Sequence, residues 1–201
     1  MTGTAPGPLR LFFALWPDPP ARRALATLAD GVARDCGGRA TPPAALHVTL
    51  AFLGSVAADL LPRLESAAAA VAGASPPFGV TFDRPGGTAG GGVAWLGCRD
   101  PAAALPGLQR ALRDALAARG VSLEPRAFRP HVTLARGCRR PPARDPAPAP
   151  VAWQVRRLAL VASRPGPAGS RYRTLRQWTL GATLSGSPAT RRRTPASRRR
   201  E

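Results

Sequence analysis

The chain contains no lysine: all 29 basic residues are arginine, set against 11 acidic ones, for a formal net charge of +18. Alanine, glycine and proline are abundant as well, so the arginine content reads as compositional bias and part of the charge carries no functional meaning. Residues 183–201 hold six arginines and one glutamate, a net +5, which leaves +13 on the remainder. That surplus still attracts a polyanion over long range. It supports affinity for RNA without specifying any sequence.

Cysteine and histidine are scarce too. Cys36, Cys98 and Cys138 lie far apart with no C-x-x-C pair, and there are only two histidines. Zinc takes three or four protein ligands, so neither a metal nor any other cofactor is expected. Three cysteines with no evident partners suit a reducing compartment, and the cytoplasm is the expected location. The G-x-S-x-G elbow of serine hydrolases is missing. No segment approaches the roughly 18–20 apolar residues that cross a bilayer, so no membrane association is expected. The early apolar run Leu11–Trp16 is too short for a signal-peptide core and has no cleavage site behind it. No Gly-Lys-Ser/Thr follows the glycine-rich stretch Gly86–Gly92, which reads as a hairpin turn and not as a phosphate loop.

What the chain does have is one tetrapeptide used twice. His-Val-Thr-Leu occurs at His47–Leu50 and again at His131–Leu134, and these copies contain both histidines. Side chains alternate along a strand, so His47 and Thr49 share one face, as do His131 and Thr133, while the Val and Leu positions face the interior. A lone strand histidine is more often structural than catalytic. Two copies that take up the entire histidine complement reverse that expectation. Two imidazoles can hold opposite protonation states near neutrality, one as general base and one as general acid. Threonine hydroxyls suit the non-bridging oxygens of a phosphate. Two such strands facing each other would suffice for metal-free cleavage of a phosphodiester.

The surrounding residues make the chain resemble the two-histidine (2H) phosphoesterase superfamily. It is most similar to the RNA 2′,3′-cyclic phosphodiesterases, also called 2′-5′ RNA ligases. The resemblance rests on LRLFFALWP at Leu9–Pro17, LHVTLAFLG at Leu46–Gly54, VAWLG at Val93–Gly97, FRPHVTLARG at Phe128–Gly137 and RYRTLRQWTL at Arg171–Leu180. It implies an α+β fold, bilobal and duplicated, with two antiparallel sheets flanking a central cleft and helices on the outside. It further implies His47 as general acid, His131 as general base, and Thr49 and Thr133 as phosphate ligands. The substrate implied is RNA ending in a 2′,3′-cyclic phosphate, tRNA-like fragments included. The product would be a 2′-phosphomonoester. Arg136 matches a basic position of the family and would suit phosphate. By strand parity, however, it falls on the face opposite His131, Thr133 and Ala135, and it reaches the cleft only if the strand twists, bulges or ends near Gly137.

Hydrophobic spacing predicts a strand at Leu9–Trp16, a helix from about Pro19 to Asp35 capped by Asp18, and a motif strand at Leu46–Leu53. A second helix is predicted over about Ala57–Ala72, then strands at Phe78–Asp83 and Val93–Cys98 joined by the Gly86–Gly92 turn. A third helix follows at Leu105–Arg119, with Leu105, Leu108, Leu112 and Leu116 on one face. The second motif strand is expected at Ala127–Arg136, a Pro-rich connection at 139–150, and closing strands at Val151–Ser163 and Tyr172–Leu180. Residues 1–8 read as a flexible start, 9–182 as the two-lobed domain, and 183–201 as a disordered Arg-rich tail. A monomer is expected. Phe12, Phe52, Trp95, Phe128 and Tyr172 are each expected to pack in the core before they stack on a base, Phe52 because it shares parity with Val48 and Leu50. Two alternative functions stay open: a 2H enzyme for a small cyclic nucleotide, and a non-catalytic RNA-binding module.

Overall fold

The structure is a computed structural model of the chain in which residues 9–99, 101–142, 148–166 and 169–182 are described. The expected flexible start (1–8), the expected disordered tail (183–201) and the middle of the Pro-rich connection (143–147) lie outside these residues. The elements in chain order are β1 (Leu9–Leu15), α1 (Pro19–Cys36), β2 (Arg39–Ala40), β3 (Val48–Val56), α2 (Leu61–Ala74), β4 (Phe78–Phe82), β5 (Arg84–Gly87) and β6 (Gly92–Gly97). They are followed by α3 (Ala104–Ala117), β7 (His131–Cys138), β8 (Val151–Val155), β9 (Arg157–Arg164) and β10 (Arg171–Thr179).

Two antiparallel sheets result, as the α+β expectation required. The large one runs β10-β9-β1-β3-β7-β6-β5 with β2 paired to β7, and the small one pairs β4 with β8. The large sheet has a weak seam. β1 and β3 pair along their length, whereas the two motif strands, β3 and β7, meet at a single rung, Val48 with Val132. A half-sheet of β10-β9-β1-β3 thus carries His47, and a half-sheet of β7-β6-β5 carries His131. Within the ladder the halves are joined at that rung alone.

Local sequence explains most of the framework. Asp18 caps α1 by accepting from the Ala21 N–H at 3.0 Å, ahead of prolines that have no N–H to satisfy. The buried face of α1 carries Ala21, Ala29 and Ala33 around Leu25, so the helix backbone can lie close to the sheet. All four leucines predicted for the inner face of α3 are fully or nearly fully buried.

Several expectations needed correcting. The hairpin partner of β6 is β5, not Phe78–Asp83, which leaves to pair with β8 in the small sheet. The single strand expected over Val151–Ser163 breaks at Arg156 into β8 and β9, one in each sheet. The second motif strand starts at His131 and not at Ala127, because Pro125 and Pro130 deny the preceding segment ladder N–H groups. Cys36 and Cys138 are not unpaired but joined in a disulfide that ties the end of α1 to the end of β7. That pairing removes the argument which three unpaired thiols made for a reducing compartment.

The most consequential departure is a bulge in each motif strand. Along β3, Ala14 pairs with Thr49 and Phe13 with Ala51, which leaves Leu50 as an extra residue. Along β7, Trp95 pairs with Thr133 and Ala94 with Ala135, which leaves Leu134 extra. The two bulges occupy the same position of the repeat. In each, the Leu and the following Ala are both buried, and the parity of the strand flips afterwards. Phe52 and Arg136, both five residues after their histidines, therefore turn outward. Phe52 is 54% exposed, with the Arg10 guanidinium 5.5 Å from its ring centre, so the core assignment drawn from parity is overturned.

A bulged residue loses its place in the ladder, and its carbonyl needs another donor. Leu134 O accepts from the Thr41 N–H at 2.7 Å. Leu50 O lies 3.4 Å from the side-chain amide of Gln109, a buried polar residue on α3. Gln109→Leu leaves that carbonyl without a partner, and urea denaturation is expected to show a loss of about 1–3 kcal/mol.

Candidate active site

Each motif holds its imidazole in the same way. His47 Nδ1 donates to Ala45 O at 2.7 Å, and His131 Nδ1 donates to Arg129 O at 2.8 Å, the carbonyl two residues back in both cases. A carbonyl can only accept, so Nδ1 carries the proton and Nε2 is the working nitrogen of both rings. His47 Nε2 lies 3.2 Å from Thr49 Oγ1. The single Val48–Val132 rung brings the two motifs side by side, each histidine one residue before its paired valine and each threonine one residue after it.

The two histidines differ in surroundings. His131 is exposed and faces a 960 Å³ cavity that it lines together with Thr133, Arg136, Arg84 and Trp95. His47 and Thr49 do not line that cavity. Instead, His47 sits among aromatics: Phe12, Tyr172 and Trp16 have ring centres 4.9, 5.2 and 5.4 Å from its own. Burial among these rings lowers the His47 pKa below its usual 6.5, and the nearby charges of Arg136 and His131 lower it further. The neutral imidazole is thereby favoured in the folded state. Its contribution to stability is complete above pH 6.5 and is lost as pH falls through the depressed folded value.

Arg136 lines the same cavity as His131 and Thr133. The Leu134 bulge brings it back to the cavity side, and its charge acts on His47. Replacing it by Gln is expected to raise the pH at which the His47 Cε1–H resonance titrates in a proton NMR titration, because a lowering charge is gone. An unchanged midpoint would place Arg136 too far away to act.

Other parts of the cavity wall were not legible from sequence. Trp95 lies 6.0 Å from His131, over Gly86, where even a Cβ would run into its indole ring. Gly86 is therefore the residue that lets Trp95 lie flat. Cys98 also lines the cavity, but burial and the Asp83 carboxylate push its thiol up to about 11, so it stays protonated and is no nucleophile at neutral pH. Trp16 escaped notice beside His47, although it shares the parity of Phe12 and Ala14 along β1. Among the described residues there is no group of three or more His, Cys, Asp or Glu side chains arranged to hold a metal. Likewise, no helix among them is long and apolar enough to cross a membrane.

The two motif segments of this α+β fold thus carry two imidazoles with the same Nδ1 lock, a threonine hydroxyl beside His47 Nε2 and an arginine on the cavity wall next to His131. The chain belongs to the 2′-5′ RNA ligase superfamily, whose sequence model matches residues 16–167. It is 34% identical over 143 residues to the RNA 2′,3′-cyclic phosphodiesterase of Escherichia coli, a match that covers 71% of this chain and 80% of the relative. The crystal structure of the E. coli LigT protein in apo form superposes with a TM-score of 0.76 at 31% identity, covering 88% of this chain and all of the other. LigT solved in complex with 3′-AMP gives a TM-score of 0.73 at 32% identity, over 87% of this chain and 99% of the other.

Proposed function

We propose that this protein is an enzyme that hydrolyses the 2′,3′-cyclic phosphate end of RNA to a 2′-phosphomonoester, with no metal. His131 Nε2 takes a proton from water as the water oxygen bonds to phosphorus. The P–O3′ bond breaks, and His47 Nε2–H gives its proton to the departing O3′. Thr49, Thr133 and Arg136 hold the non-bridging oxygens as charge builds on them. The ring that began neutral ends protonated and the other ends neutral, and exchange with solvent resets both. When a 5′-hydroxyl takes the place of water, the same displacement of O3′ gives a 2′-5′ linkage.

The observation that carries this reading is the matched lock on the two rings, Nδ1 to the carbonyl two residues back, which leaves two Nε2 atoms for a single phosphate. A positive net charge and relatives named for cyclic-phosphate RNA ends favour an RNA substrate over a small nucleotide. The protein acts as a monomer in this reading, and residues 9–182 form the catalytic unit.

The test is hydrolysis of a short oligonucleotide with a 2′,3′-cyclic phosphate end in excess EDTA, with the product phosphate located at 2′ or 3′. Turnover to the 2′-phosphate is the expected result. A folded protein that leaves the end intact, or needs a divalent ion, would sink the proposal. Deleting residues 183–201 is expected to leave turnover of a dinucleotide cyclic phosphate within about twofold, because the tail is far from the histidines in sequence and carries none of the groups used. A large loss would place the tail in the site.

A further inference from the structure

In-line displacement sets water and O3′ on opposite sides of phosphorus, and O3′ belongs to the terminal ribose. The terminal nucleoside, with all of the strand 5′ of it, therefore lies on the side of the proton donor. With His47 as that donor, as in the reading above on which this inference rests, the RNA must pass the His47 side of the site.

A second cavity of 550 Å³ opens there. Trp16 and Tyr172, two of the three rings packed around His47, form its wall toward the catalytic centre. Arg22, Arg156 and Arg157 also line it, and the one carboxylate in its lining, Asp18, is engaged as the α1 cap. Two N–H groups of these walls are buried without a partner in the protein: Trp16 Nε1, and the Nε of Arg22, whose Nη2 donates to Pro17 O at 3.2 Å. The strand register places Tyr172 on the same sheet face as Phe12, the ring against His47, through Ser163 and Arg10.

We propose that this cavity holds the nucleotide immediately 5′ of the cyclic-phosphate residue, so that RNA leaves the catalytic centre past His47 and not past His131. The arginines bind the phosphate that joins the last two nucleotides, and Trp16 and Tyr172 give a base an aromatic wall. The 960 Å³ cavity beside His131 is then the water side, and in ligation it receives the strand with the 5′-hydroxyl.

Photocrosslinking tests the path directly. An oligonucleotide ending in a 2′-phosphate, with 4-thiouridine at the penultimate position, is irradiated with the full-length protein and the adducts are mapped by mass spectrometry. Adducts are expected within residues 16–22 or 154–177. Adducts within 84–101 or 126–136, or none in the expected segments, overturn the inference. Kinetics give a second readout: Arg156→Ala with Arg157→Ala is expected to lower kcat/KM for a dinucleotide cyclic phosphate by about tenfold while sparing a mononucleotide 2′,3′-cyclic phosphate. Equal effects on both substrates, or no effect, count against it. Wild type that turns over neither substrate would reject the cyclic phosphodiesterase reading, while the crosslinks would still report where the strand lies.

Discussion

His47→Ala and His131→Ala are each expected to reduce kcat for cyclic-phosphate hydrolysis by about 10²–10⁴-fold, with the fold intact by circular dichroism. Both rings are held by their own backbone, and His131 is exposed, so its loss removes chemistry alone; His47 also packs against Phe12, Trp16 and Tyr172, so activity of its variant is compared per folded molecule. The double variant is expected to lose little more than the worse single one, since acid and base act on the same step and their effects do not add. The pH profile of kcat/KM in wild type should be bell-shaped. One of its two limbs belongs to His47, which donates from its protonated form, and lies below pH 6.5 because burial and two neighbouring cations favour the neutral ring. Retention of more than a tenth of the activity in either variant would contradict the two-histidine mechanism. A profile with both limbs above 6.5 would contradict the placement of His47 among the aromatics.

The second large effect concerns the disulfide. Cys36 and Cys138 are separated by 102 positions, so the bond closes a long loop and withholds much chain entropy from the unfolded state. Reduction, or Cys36→Ser, is expected to cost about 2–4 kcal/mol, equivalent to a Tm lower by roughly 5–15 °C for a domain of this size. Differential scanning calorimetry with and without reductant reads it. The bond fastens α1 to the C-terminal end of β7, and His131 sits at the other end of that strand. Catalysis at temperatures well below the transition should therefore persist in the reduced protein. A Tm that ignores reductant would mean the two sulfurs are not bonded in solution.

The candidate site was legible in the sequence because it depends on residue identity and short spacing. A repeated His-x-Thr and simple alternation were enough to name four side chains and the faces they share. The framework was legible for a similar reason: Leu105, Leu108, Leu112 and Leu116 announce the inner face of α3, and Asp18 announces the start of α1. Alternation fails where the strand stops alternating. The bulges at Leu50 and Leu134 exist because neighbouring strands pair around them and distant donors, Gln109 and the Thr41 N–H, take up the displaced carbonyls. No local residue marks either one, so parity sent Phe52 inward and kept Arg136 out of the cleft. The same holds for Cys36 and Cys138, whose partnership is created by α1 docking on β7. The break at Arg156 follows from two sheets competing for one stretch of chain, which alternation within that stretch does not reveal.

The solitary rung between Val48 and Val132 makes the molecule a pair of jaws on one pivot. Nothing inside the mouth sets how far apart the two working nitrogens stand. The span between them follows from the tilt of two half-sheets on one shared core, one backed by α2 behind β9 and β10, the other by α1 behind β7. Substitutions on the far side of either plate, out of reach of any substrate, thus regulate the bite of the enzyme. A lineage can fit the same four side chains to a wider or narrower phosphate ester by altering only what lies behind them.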